Sequence, residues 1–329
     1  MPAFLEPGQV LRERYIIREI IGHGGMGSIY LAEDNRLHGR LCAAKQFVHD
    51  ADLPEILRSQ VREQFYREAS VLARLDHPNL PKVSDYFSIA DCDYIIMDFV
   101  PGDDLKTLMD QSRRRGRFLN QSDVIEWAIQ LTDALEYLHN QDKPVIHRDI
   151  KPSNLKLTPR GLLKLVDFGL VKQMMPDEMT ITVIQGRGTA YYTPLEQYGG
   201  DDGHTDPRSD VFAFGSTLYH LLTNHPPVEA KRRFLSPDSL PKPRTYNPNI
   251  DQHVEDTILW AMSLHPNERP QSISEFRSAL LGERAAPITR HPDETRSRYV
   301  RKVLPTLKDR TMALIAAVLL LTAIIATWV

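Results

Sequence analysis

The chain has 329 residues, 42% of them apolar and 25% charged, with a formal net charge of −3. That length accommodates about two domain-sized units with proper buried cores, and the slight acidic excess argues against a general nucleic-acid binder, which needs a basic surface. Cys42 and Cys92 are the only cysteines, too few for a disulfide framework or a cysteine-ligated metal, and they fit a reducing, intracellular setting.

Residues 1–13 form an N-terminal extension with no apolar stretch able to serve as a secretory signal. From 14 to 48, short apolar and β-branched runs (YIIREIIG, SIYLAED, LCAAKQF) alternate with glycine and charged turns, which predicts a small antiparallel sheet. Within it IGHGGMGSIY, residues 21 to 30, carries Gly22, Gly24, Gly25 and Gly27 and satisfies the dinucleotide pattern G-x-G-x-x-G. A dinucleotide fold requires that loop to run from a strand into a helix, with an acidic residue about 20 positions on. Here the glycines run into Ser28, Ile29, Tyr30 and Leu31, a β-type sequence, and Phe47 and Val48 stand at the acidic position. The loop therefore reads as a hairpin whose bare backbone N–H groups can approach phosphate oxygens.

A helix is expected around 58 to 75, where Val61, Phe65, Ala69, Leu72 and Leu75 recur at three- and four-residue steps. DYIIMDFVPGDDL reads as a last strand entering a linker, and helical patterns dominate after about 103, among them SDVIEWAIQLTDALEYLHN with Ser122 or Asp123 as its cap. RRRGR, Arg113 to Arg117, reads as a solvated loop or a dock for an acidic partner. Residues 283 to 310 hold eight Lys or Arg against four acids, and Met312 to Val329 is an uncharged run of 18 residues. At ~1.5 Å rise per residue that run spans roughly 27 Å, near the hydrocarbon thickness. A membrane helix over 312–329 is expected, with Trp328 at the far interface, the basic 282–311 linker on the cytoplasmic side, and almost nothing beyond the bilayer.

Three further features carry chemistry. CAAK ends in Lys45, eighteen residues after Gly27, Glu68 lies in the expected helix, and HRDIKPSN (147–154) precedes DFG (167–169). With these the sequence resembles the eukaryotic-like (Hanks-type) serine/threonine protein kinase family, and its GHGGMG and PLEQYGG stretches resemble the bacterial membrane-anchored branch. The resemblance implies an α+β, bilobal protein kinase fold: a small β-rich N-lobe with one regulatory helix (14–97), a hinge (98–102) and a larger helical C-lobe (103–281), followed by the C-terminal transmembrane helix.

It also implies roles. Lys45 grips the α- and β-phosphates of ATP and is held by Glu68. Asp149 accepts the proton of the substrate hydroxyl, Lys151 neutralises charge on the transferred group, and Asn154 and Asp167 are oxygen ligands to Mg²⁺, with Mn²⁺ as the alternative ion. Ile21, Gly22, His23, Gly24, Gly25, Met26, Gly27, Ser28 and Ile29 cover the nucleotide, with Ala43 and the gatekeeper Met97 beside the adenine. Asp98 to Val100 supply hinge backbone, and Asp104 reaches the ribose or is an exposed turn acid. Glu196 and Arg269 form a structural pair, Asp210 braces the catalytic loop, and Thr189 seats a hydroxyl substrate.

Lys156 departs from the pattern, standing where kinases usually place an aliphatic residue under the adenine; its stem is expected to pack there with the ammonium turned outward. TPLE replaces the more familiar Ala-Pro-Glu, and the spacing from Lys45 to Glu68 is a few residues long. The partners implied are proteins with Ser or Thr acceptors and no nucleic acid, with a homodimer for autophosphorylation at Thr180 or Thr182, whose phosphate Arg148 would bind. A pseudokinase scaffold is the competing reading, but it would usually lack one of Lys45, Asp149, Asn154 or Asp167, and all four are present.

Overall fold

The computed structural model describes residues 4–24, 27–49, 54–167, 189–198 and 205–287. Gly25, Met26, the segment with Thr180 and Thr182, and the apolar run 312–329 lie outside the described residues. Among the described residues no helix is long and apolar enough to cross a membrane.

The N-terminal part is a six-stranded antiparallel sheet of β1 (Val10–Leu11), β2 (Tyr15–Gly24), β3 (Gly27–Asp34), β4 (Leu41–Val48), β5 (Val83–Ile89) and β6 (Cys92–Asp98), in the order β1-β2-β3-β4-β6-β5. Alternation builds it: in β3, Ser28, Tyr30, Ala32 and Asp34 are buried and the residues between them are half-buried. Leu11, Tyr15, Ile17, Tyr30, Ala32, Phe87 and Ile96 form the core on one face.

Two features differ from the sequence reading. The sheet reaches back into the N-terminal extension, because Val10–Leu11 pairs with β2 and Leu5 N donates to the Tyr30 hydroxyl at 3.2 Å. The strand β5 escapes a period-two search because Ser84, Asp85 and Ser88 interrupt its apolar residues; as an edge strand it is held by pairing with β6.

The expected helix is α1 (Glu55–Leu72), starting three residues earlier than predicted and burying Phe65, Ala69 and Leu72. In the C-terminal part α2 (Leu105–Arg114) is capped by Asp104, which accepts from Thr107 N at 2.8 Å. In α3 (Gln121–His139) the buried stripe runs Val124, Ala128, Leu131, Leu135 and Leu138. Its cap position is Asn120, with no side-chain cap bond, so Ser122 and Asp123 fall inside the first turn instead of capping it; Asp123 there complements the helix dipole.

The helix α4 (Pro207–Thr223) opens on an Asp206 cap and is buried at every position from Ser209 to Thr223, which makes it the central helix. Around it stand α5 (Ala230–Leu235), α6 (Pro243–Tyr246), α7 (Gln252–Ala261) and α8 (Ile273–Leu280), with the hairpin β7 (Leu155–Leu157) and β8 (Leu163–Leu165) on the side of the N-terminal sheet.

Inside α4, His220 Nδ1 lies 2.6 Å from the Tyr192 hydroxyl. Burial pushes its pKa down to about 4, against the opposing charge of Asp110. Between that value and the ordinary one near 6.5 the unfolded chain binds a proton that the folded chain does not, so stability falls as pH drops through this window. His220→Gln is expected to remove on the order of 1–3 kcal/mol of the loss between pH 7 and pH 4.5. Urea midpoints at the two pH values check this, and equal losses in both proteins would exclude His220 as the cause.

Candidate active site

The glycine hairpin is what β2 and β3 make, with Gly24 paired to Gly27 and bulges between Ile17 and Glu19 and between Ile20 and Gly22. A strand therefore follows the glycines, which rules out the dinucleotide geometry. Gly27 has φ +148°, and a Cβ there would sit 1.9 Å from the Gln46 carbonyl oxygen, so no other residue fits. His23 Nδ1 and Ser28 Oγ are 3.1 Å apart across the flap.

Lys45 lies on the sheet face that looks toward the C-terminal part, and its Nζ is 2.9 Å from Asp167 Oδ1. The sequence reading paired this lysine with Glu68, but no Lys45–Glu68 ion pair occurs among the described residues. The Glu68 carboxylate instead accepts from Gln64 Nε2 at 2.6 Å. Burial raises the Glu68 pKa, with the Gln64 hydrogen bond and the Arg148 charge acting the other way. Asp167, not Glu68, thus supplies the carboxylate partner of Lys45.

The catalytic loop is tied down from below. Asp210, fully buried on α4, accepts from His147 N and Arg148 N and contacts His139 Nε2, each at 2.9 Å. Burial would raise its pKa, but the His139 bond and the neighbouring histidines hold the carboxyl below its ordinary range. Arg148 takes a left-handed φ of 65° and Asp167 one of 61°, strain that such anchoring sustains. His139 was not named from sequence; its signal was a polar residue on the last turn of an otherwise apolar helix face.

The loop then presents its polar groups together. Asp149 Oδ2 accepts from Lys151 Nζ at 2.8 Å and from Asn154 Nδ2 at 2.9 Å, and Lys151 Nζ also reaches Thr189 Oγ1 at 3.2 Å. Val166 N donates to Asn154 O at 2.8 Å, which seats Asp167 beside Asn154. With Nδ2 turned to Asp149, Asn154 keeps an amide oxygen for a ligand. That oxygen and the Asp167 carboxylate fit a divalent ion that travels with a nucleotide, since Mg²⁺ needs only one or two such groups beside phosphates and water. Among the described residues no cluster of three His, Cys, Asp or Glu could hold a metal alone.

At the hinge Met97 is half-buried and pairs in register with Ala43 and Val83. Asp98 N donates to Lys82 O, and the Asp98 carboxylate takes Arg40 Nη2 and Lys82 N. Val100 is 6% exposed, and its N–H has no hydrogen-bond partner among the described residues, which leaves an open donor at the hinge. The Asp104 carboxylate is spent on Thr107, whose N and Oγ1 both donate to it, so the ribose role expected of it meets a competing cap.

Beneath the site Arg269 forms a bidentate pair with Glu196, Nη1–Oε1 at 2.6 Å and Nη2–Oε2 at 3.0 Å. Its remaining donors go to the carbonyls of Ser263, Leu264 and Arg208, and Ser209 Oγ donates to Glu196. Burial would raise the Glu196 pKa, but the Arg269 bonds and charge outweigh it and lower it.

A family model described as protein kinase domain matches residues 15–279. The chain belongs to the protein kinase family. It is 35% identical to a probable serine/threonine-protein kinase of Streptomyces coelicolor, over 83% of this chain and 40% of that relative. It is 33% identical to serine/threonine-protein kinase PknB of Mycobacterium leprae, over 82% and 43%, so the kinase chain spans less than half the length of these relatives. Among solved structures, the apo form of PpkA-294 superposes with a TM-score of 0.70 at 26% identity, covering 84% of this chain and 99% of that one. The PknI kinase domain of Mycobacterium tuberculosis gives 0.64 at 26% identity, covering 85% and 100%. The bilobal fold, a β-sheet N-lobe over a helical C-lobe, is that of the family.

Proposed function

We propose that this chain is a serine/threonine protein kinase that transfers the γ-phosphoryl group of ATP to Ser or Thr hydroxyls of protein substrates. The observation that carries the reading is the meeting of Lys151 Nζ and Asn154 Nδ2 on Asp149 Oδ2, with Thr189 at hydrogen-bond distance from Lys151. Asp149 takes the proton of the attacking hydroxyl and orients it, Lys151 offsets the charge on the transferred group, and Thr189 helps to seat the acceptor. Lys45 binds the α- and β-phosphates after exchanging its Asp167 contact for them.

The family uses ATP and a divalent metal; here we assign Mg²⁺ to Asn154 and Asp167, with Mn²⁺ as a substitute. The ion supplies charge compensation for the phosphates. Membrane attachment through 312–329 with the kinase domain in the cytoplasm rests on the uncharged run and the basic linker before it. Cell fractionation with and without residues 312–329 checks it. Pairing of two copies for autophosphorylation at Thr180 or Thr182 rests on the position of these threonines between Asp167 and Glu196.

Incubation with γ-labelled ATP and Mg²⁺, followed by phosphoamino-acid analysis and mass spectrometry, tests the reading. Label on Ser and Thr, including Thr180 or Thr182, is the expected result. Label confined to tyrosine would refute the substrate class, and a bare loop in an active enzyme would refute autophosphorylation there.

A further inference from the structure

The hairpin of β7 and β8 pairs Leu155 with Leu165, Lys156 with Lys164 and Leu157 with Leu163. Leu155, Leu163 and Leu165 are at most 1% exposed and belong to the core, so by the alternation of a strand Lys156 and Lys164 share the opposite face. That face looks at the N-lobe, because Lys164 Nζ donates to Leu80 O at 3.0 Å. The chain leaving the hinge lies directly against β7. Asp104 bridges to Lys156, Leu157 N donates to Asp103 O at 2.9 Å, and a Cβ on Gly102 would come within 2.1 Å of Leu157 O. Lys156 therefore stands on the cleft floor below the hinge that carries the open Val100 N–H, two residues past Asn154.

Like charges directly opposite on a hairpin are unfavourable. Lys164 is compensated by its carbonyl contact, but the ammonium of the half-buried Lys156 has no hydrogen bond or ion pair among the described residues. The acids of the segment bridged to Lys156 are committed: Asp104 caps α2, and Asp103 takes Gln111 Nε2 at 3.4 Å. A cation held without a partner beneath a base-binding hinge is a group kept for the ligand.

We propose that, against the outward-turned ammonium expected from the sequence, Lys156 is a specificity-determining residue for the nucleobase, its ammonium meeting the purine and widening acceptance from ATP toward guanine nucleotides. This rests on the nucleotide-site reading above. An aliphatic floor is indifferent to base polarity, whereas an ammonium that reaches the rim of the ring prefers the base with the more acceptor-rich edge. Guanine offers O6 and N7 as adjacent acceptors, while adenine pairs N7 with an N6 amino donor that repels the charge.

Calorimetric titration of the full chain in detergent with Mg·ATP and with Mg·GTP tests this in wild type, Lys156→Leu and Lys156→Arg. The ratio of Kd for GTP to Kd for ATP is expected to rise about 3- to 30-fold in Lys156→Leu and to stay near wild type in Lys156→Arg, which keeps the charge. An unchanged ratio in Lys156→Leu, with both nucleotides bound, overturns the inference and leaves the kinase reading standing. Wild-type protein that takes up neither nucleotide overturns both.

Discussion

Asp149→Asn is expected to lower kcat by about 10²–10⁴-fold while leaving the affinity for Mg·ATP within a small factor of wild type. Asp149 accepts two hydrogen bonds through one oxygen, from Lys151 and Asn154. An amide of the same shape keeps an acceptor oxygen for the lysine and preserves the loop, which is anchored independently through Asp210. It cannot orient and deprotonate a hydroxyl. The loss should therefore fall on the chemical step and spare nucleotide binding, a division that single-turnover rates and calorimetric Kd values read separately. Equal phosphate incorporation by the variant and the wild type would assign the activity to a contaminant.

Arg269→Ala carries the largest expected cost to stability, about 3–5 kcal/mol. The guanidinium is fully buried, and its loss leaves the half-buried Glu196 carboxylate without its cation, along with the orphaned carbonyls of Ser263 and Leu264. Arg269→Lys should recover part of the loss, since an ammonium is not a bidentate fork. Because the pair lowers the Glu196 pKa, its contribution is present above the ordinary carboxylate value and is lost as pH falls through the folded one. Urea denaturation at pH 7 checks the magnitude, and a double-mutant cycle with Glu196→Gln isolates the pair. A cost below about 1 kcal/mol, the range of an exposed ion pair, would contradict the buried role.

The parts of the site that were legible in the sequence are those whose geometry is local. Asp149, Lys151 and Asn154 fall within six residues of one another, so their spacing nearly determines their meeting, and the strand after Gly27 follows from β-branched and aromatic neighbours. Contacts set by tertiary packing were not legible. Whether Lys45 meets Glu68 or Asp167 depends on the rotation of α1 and the distance between lobes, which no spacing encodes. Asp104 has two uses open to an acid before a helix, and the neighbouring Thr107 decides for the cap. In the fold, β5 was hidden by its polar residues, and Val10–Leu11 by brevity: two residues have no periodicity, and only the partner strand β2 defines them. Lys156 was visible as a departure, but its lack of a partner required the hairpin register and the commitments of Asp103 and Asp104.

Asn154 and Asp167 are expected to hold the metal of a nucleotide beside Asp149, which calorimetric titration of ATP into the protein with Mg²⁺ and with EDTA, in wild type and Asp167→Asn, measures directly. The wild type is expected to show tight, metal-dependent uptake, and the variant to lose most of that metal dependence. Identical titrations for the two proteins, or ATP uptake indifferent to Mg²⁺ in the wild type, would contradict it.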